Sequence, residues 1–207
     1  MKKALNISFM LLTAATLLTS CKETEVVSEY DNWQNRNAEY VDNLAAKCAV
    51  SENNGVTPDN AKSGEMFRLL SYLLDPESGN HRNIDYVYCE VIEHGEGTQT
   101  PHFTDSVWID YRVRLIPTEN YPEGMISDQS YRTEQIDRNL NTPSGFAISG
   151  LVPGVSTALM NMVSGDIWRL YIPYELGYGK SNHNNIPAYS TLIFDVCLEK
   201  FKLTYAE

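Results

Sequence analysis

The chain has 207 residues, with 16 Lys and Arg against 27 Asp and Glu, and a formal net charge of −11. Apolar residues make up 43% of it, enough for a real core, which excludes wholesale disorder. No Lys/Arg run is longer than the pair Lys2-Lys3, which argues against a nucleic-acid partner, because phosphate neutralisation needs clustered cations.

Taken in chain order, residues 1–20 read as an address. Lys2 and Lys3 precede an apolar stretch over residues 7–18, too short to span a bilayer as a mature helix and typical of a signal peptide. The next four residues, Leu18-Thr19-Ser20-Cys21, resemble the lipobox of bacterial lipoproteins, in which the cysteine is lipidated and becomes the N-terminus. A plain signal peptide with a coincidental cysteine is the alternative. Cleavage before Cys21 removes Lys2 and Lys3 and takes the net charge from −11 to −13. Residues 21–29 are polar and acidic and read as a tether.

Residues 30–80 read as an N-terminal helical extension. Trp33, Tyr40, Val41, Leu44 and Cys48 fall near helical spacing, residues 51–62 are turn-rich, and residues 65–74 suit a helix or a strand equally. From residue 81 to 203 the pattern changes to strands. Residues 107–115 alternate Val107, Ile109, Tyr111, Val113 and Leu115 against Trp108, Asp110, Arg112 and Arg114; residues 84–92, 167–172 and 191–201 alternate likewise. Alternation of this kind implies an antiparallel sheet with one buried face. It places Cys89 and Cys197 on opposite faces, where they cannot pair. One short helix interrupts the strands: Pro153 suits its first turn, Val155, Leu159 and Met162 its buried stripe, and Gly165 its C-terminal cap. A short helix on an antiparallel sheet is an α+β layout.

Motifs for metal, nucleotide or covalent chemistry are missing: there is no His-Glu-x-x-His, Cys-x-x-Cys, Gly-x-Ser-x-Gly or phosphate-cradling glycine loop. His81, His94, His102 and His183 lie in loops or strand ends without ligand spacing, so neither a metal nor a cofactor is expected. What remains is a set of apolar and aromatic residues around turns.

The order of those residues resembles the FKBP-type peptidyl-prolyl cis-trans isomerases. The resemblance runs over residues 84–201: Leu151-Val152-Pro153-Gly154, Ala158-Leu159, Met162, Gly165-Asp166, then Ile172-Pro173-Tyr174, Leu176-Gly177-Tyr178-Gly179, Ile186-Pro187-Ala188 and Thr191-Leu192-Ile193-Phe194-Asp195-Val196. Gly95, Gly97, Ile109-Asp110-Tyr111, Asp128 and Ser130-Tyr131 also fit. The fold it implies is a five-stranded antiparallel sheet curled around the short helix, with a proline pocket between them. By motif position, Tyr111, Asp128, Val152, Tyr178 and Phe194 would be catalytic, and Phe146, Val155 and Ile186 would bind substrate. The activity implied is isomerisation of X–Pro bonds in exported polypeptides, by a lipid-anchored protein of the cell envelope. A non-catalytic peptide-binding or chaperone module on a degenerate fold of this type is the alternative.

Three positions depart from the family pattern. Ser127 stands where an aromatic usually precedes the aspartate, Val155 stands where the pocket floor is usually Trp, and Arg112-Val113 replace a nearby glycine. An aromatic side chain buries about 150–250 Å², so the site should be wider, shallower, or refilled by Tyr171 or Trp168. Sixteen residues separate Tyr111 from Asp128, and this insertion is expected to form a flap over the pocket. Trp33 and Tyr40 are candidates either for a homodimer contact or for packing on the parent domain.

Overall fold

The computed structural model describes residues 28–138 and 140–204. Cys21 and the address before it lie outside the described residues. Seven strands form one antiparallel sheet: β1 (Met66–Leu70), β2 (Tyr86–Glu93), β3 (Ser106–Leu115), β4 (Ile126–Gln129), β5 (Ser144–Ala147), β6 (Ile167–Ile172) and β7 (Leu192–Lys202). Their order is β1-β2-β6-β7-β3-β4, with β5 also paired to β3. β5 takes the first half of the β3 edge and β4 the second, so the two share one position in the sheet. The expected five positions are thus filled, and β1 adds an outer edge beside β2. Residues 66–70, assigned by pattern to the N-terminal extension, are therefore part of the sheet.

Helix α2 (Pro153–Leu159) lies on the concave face. There Val87, Cys89, Val91, Val107, Ile109, Leu170, Ile172, Leu192, Val196 and Leu198 close over Val155, Ala158, Leu159 and Met162 in one core. Each fully buried Leu or Ile contributes about 1.5–3 kcal/mol, so this face carries most of the stability. Gly154 is required where α2 meets the sheet, since a Cβ there would stand 2.3 Å from Ile172 Cγ2.

The helix stops earlier than expected. It ends at Leu159 with Met160 as its C-cap, and the chain tightens through Asn161 N–H to Ala158 O (2.9 Å) and Met162 N–H to Leu159 O (3.2 Å). Gly165 is not its cap. It sits at φ +95°, and its Cβ position is 2.9 Å from the Gly95 Cα, so both glycines serve a close crossing of two loops.

Helix α1 (Trp33–Asn53) covers the convex face of β1 and β2. Its buried stripe is Trp33, Asn37, Val41, Leu44, Ala45 and Cys48, and the last four pack with Tyr88, which points away from the concave core. Tyr40 meets Tyr171 with ring centroids 6.2 Å apart. Trp33 and Tyr40 therefore pack on the parent sheet. Cys48, Cys89 and Cys197 are buried free thiols, and the strand register puts Cys89 and Cys197 on opposite faces, as their alternation requires. No helix among the described residues is long and apolar enough to cross a membrane.

Candidate active site

Three strands bring an aromatic cluster to one end of the concave face. The Tyr111 ring of β3 stacks on Phe194 of β7 (centroids 5.5 Å apart, planes at 9°) and meets Phe146 of β5 edge-on (5.8 Å, 70°). Such ring pairs add about 0.5–1.5 kcal/mol beyond area burial, which favours this arrangement of the wall. The Tyr111 hydroxyl donates to Asp128 Oδ2 at 2.9 Å, while Asp128 Oδ1 accepts the Gln129 N–H at 2.8 Å. Burial, reinforced by the bond to Asp128 and its charge, pushes the Tyr111 phenol up to about 12. Tyr111 thus stays a neutral donor across the physiological range.

Val152 is the N-cap of α2, with extended backbone (φ −62°, ψ 147°). Its carbonyl accepts the Ser156 N–H at 3.1 Å, while its own N–H has no partner among the described residues. Pro153 at the first helical position fixes this turn with no loss of a needed donor. Val155 is 1% exposed, Ile186 4% and Phe194 8%. The floor and inner wall are therefore covered, and Tyr111, Phe146 and Val152 lie half-buried above them. The floor position is therefore closed to solvent although its residue is only a valine. Of the two expected substitutes, Tyr171 lies on the convex face, its hydroxyl donating to Glu90 Oε2 (3.1 Å), whereas Trp168 is buried in the same core as Val155, edge-on to Phe67 (5.1 Å).

Tyr178, 39% exposed, stands on the opposite rim, stacked on His183 at 4.0 Å and 7°. Its hydroxyl has no hydrogen-bond partner among the described residues, and burial, then the Asp128 charge, raise its pKa. The rim loop is closed by paired backbone bonds between His183 and Ile186, both 2.9 Å. It is clasped to β4 where the family aromatic is missing: Ser127 Oγ donates to Asn185 Oδ1 at 2.8 Å, and Asn185 Nδ2 to Ser127 O at 3.4 Å.

The insertion between Tyr111 and Asp128 is not a flap over this site. It extends the β3–β4 hairpin, with Leu115 N–H to Met125 O and Thr118 N–H to Tyr121 O (both 3.0 Å). The N-terminal segment holds it down through Arg36 to Pro117 O (3.5 Å), Tyr30 to Met125 Sδ (3.5 Å), and a bond between Asn120 and Glu29.

All eight motif-derived residues thus fall in one region. Tyr111, Phe146 and Phe194 touch, Asp128 is bonded to Tyr111, Val152, Val155 and Ile186 share their core, and Tyr178 faces them from the rim. His183 and Asn185 were not legible as participants, because only the folded rim loop brings one to Tyr178 and the other to Ser127. A recess of about 260 Å³ lies instead on the convex face, lined by Arg112, Arg114, Tyr131, Arg169 and Asp195 among others. Among the described residues no cluster of three or more His, Cys, Asp or Glu could hold a metal.

The family model for the FKBP-type peptidyl-prolyl cis-trans isomerase matches residues 97–199, which contain all eight positions. Residues 97–199 belong to that family. The FKBP-type isomerase FkpA of Escherichia coli K12 is 32% identical over 138 residues, 67% of this chain and 45% of that protein. The FKBP-type 22 kDa isomerase of the same strain is 36% identical over 107 residues, 51% of this chain and 45% of that one. The chain thus spans less than half the length of these curated relatives. In fold, the FKBP domain and its N-terminal region are similar to a crystallised peptidyl-prolyl cis-trans isomerase of Pseudomonas syringae (TM-score 0.53, 21% identity, 84% of this chain and 97% of that one).

Proposed function

We propose that the FKBP domain accelerates cis–trans isomerisation of X–Pro bonds in exported polypeptides. Rotation about a peptide bond faces a barrier of about 18–20 kcal/mol set by amide resonance, and unassisted X–Pro interconversion takes tens to hundreds of seconds. The twisted transition state has lost that resonance and is less dipolar than the planar ground state. An apolar surface with a few oriented donors favours it without any acid, base or covalent step. The site supplies such a surface in the Tyr111–Phe194–Phe146 wall, and two donors without partners in the Tyr178 hydroxyl and the Val152 N–H. The observation that carries the reading is this wall and these donors falling together inside the family segment.

The envelope location rests on the sequence: residues 1–20 as signal peptide and Cys21 as the lipidated N-terminus. A relative from Legionella longbeachae is named outer membrane protein MIP, 31% identical over 114 residues, which supports the same compartment. A homodimer through the N-terminal region would use the outward face of α1, because Trp33 and Tyr40 are engaged by the parent sheet.

The test is a cis-to-trans assay on a short proline peptide with the mature chain carrying Cys21→Ser. Acceleration over the uncatalysed rate, lost in large part in Tyr178→Phe, is the expected result. A folded protein that leaves the rate at background would leave only the non-catalytic peptide-binding module.

A further inference from the structure

We infer that Trp33 and Asn37 of helix α1 are positioning residues for the isomerase site. The inference rests on the proposed activity of that site. Asn37 is a polar residue in mid-helix, yet it is 1% exposed. Its Oδ1 accepts the Thr191 N–H at 2.7 Å, and its Nδ2 donates to Trp33 O at 2.8 Å. One turn earlier, the Trp33 indole N–H donates to Ser190 Oγ at 2.8 Å, and Ser190 Oγ in turn donates to Pro187 O at 2.7 Å. Trp33, Ser190 and Thr191 are all buried. Hydrogen bonds shut away from water hold their partners to one geometry, because breaking them leaves a buried donor or acceptor unpaired.

The segment they hold is short and carries both sides of the site. Ile186 lies just before Pro187, and Phe194 lies three residues after Thr191. Between them Tyr189 is in left-handed backbone (φ 63°), which an aromatic residue adopts only when its surroundings impose it. Its N–H donates to Gly179 O at 3.0 Å, next to Tyr178.

The same end of α1 grips the other rim. Arg36 and Tyr30 hold the β3–β4 hairpin, β4 carries Asp128, and Ser127 clasps Asn185 of the rim loop. The contacts close a circuit from α1 through the hairpin, Ser127, Asn185, Ile186, Pro187 and Ser190 back to α1. The helix outside the family segment thereby fixes the spacing between the Tyr111 wall and the Tyr178 rim.

Trp33→Phe keeps an aromatic ring in place while removing the indole donor and part of the ring's bulk, and Ser190→Ala removes the acceptor. In the mature chain carrying Cys21→Ser, Trp33→Phe should lower kcat by about tenfold, since small misplacements of positioning groups cost up to about a hundredfold. KM should change less than twofold. Adding Trp33→Phe to Ser190→Ala should cost nothing further, and Asn37→Ala should reproduce the kcat loss at temperatures where the variant is fully folded. Unchanged kcat in folded Trp33→Phe and Asn37→Ala, with only the melting temperature lowered, would overturn the inference. If the parent chain itself shows no acceleration, the activity assignment fails separately. The positioning claim is then decided by NMR: Trp33→Phe should shift the Ile186 methyl signals and the Tyr189 amide, and unshifted signals would refute it.

Discussion

The two faces of the sheet are built on different physics. The concave face is aliphatic and aromatic, sealed by α2, and holds the proposed isomerase site at its end. The convex face divides into an aromatic half under α1 and a charged half, in which Asp195 receives Arg114 and Arg169 (both 2.5 Å) beside Arg112. Arg112 spends its donors on Gln129 Oε1 (3.0 Å) and the carbonyls of Thr133 (2.6 Å) and Glu134 (3.1 Å), so it anchors the chain that crosses this face. The apolar face holds the two open donors of the proposed site, the Tyr178 hydroxyl and the Val152 N–H, and one buried unpartnered donor away from it, the Trp168 indole N–H. The charged face is held mainly by ion pairs, with Arg114 Nε and Asp110 Oδ2 left without partners, and its recess is the space between those pairs and that crossing segment. That recess therefore does not mark the site.

The contrast predicts unequal sensitivities. Leu159→Ala, under the sheet, should cost about 3 kcal/mol in denaturant unfolding, because the cavity cannot collapse against the strands. Asp195→Asn should cost less, about 2 kcal/mol, mainly by stranding Arg114 and Arg169, and much of that loss should return when Arg169→Met is added. If the Leu159 and Asp195 variants reversed in rank, the convex face would be the stabilising one.

Asp110 sharpens the point from the opposite direction. It is 1% exposed, accepts one bond from Ser130 (3.1 Å), and its Oδ2 has no partner. Burial raises its pKa. A carboxyl whose folded pKa is raised favours the fold below its unfolded value and loses that contribution as pH climbs through the folded value. Asp110→Asn should therefore gain about 1 kcal/mol at neutral pH, and the gain should vanish at acid pH, where the native carboxyl is protonated. The Tyr111 phenol obeys the same sign at the alkaline end. Its contribution is fully present at neutral pH, and stability should fall between about pH 10, the unfolded value, and about 12, following phenolate absorbance.

Legibility in the sequence followed these differences. Residues 107–115 and 167–172 alternate because one face meets the core and the other meets charge or solvent, and both appear as strands close to their expected bounds. Residues 65–74 were ambiguous because β1 is covered on both sides, Phe67 by the concave core and Met66 by α1, which erases alternation. Gly165 misled because a glycine can serve a helix cap or a close loop crossing, and only the fold brings Gly95 against it. The eight site residues were reachable through motif order. The Trp33–Ser190 and Asn37–Thr191 bonds were not, since each joins residues more than 150 positions apart and leaves no trace in local pattern.

The most direct test is NMR titration of a proline-containing peptide into the isotopically labelled mature chain. Shifts centred on Tyr111, Phe146, Val152 and Tyr178, with exchange cross-peaks between the cis and trans peptide signals, are the predicted result. Shifts centred on Arg112, Arg169 and Tyr131, or a peptide that binds at the aromatic wall without exchanging, would contradict it.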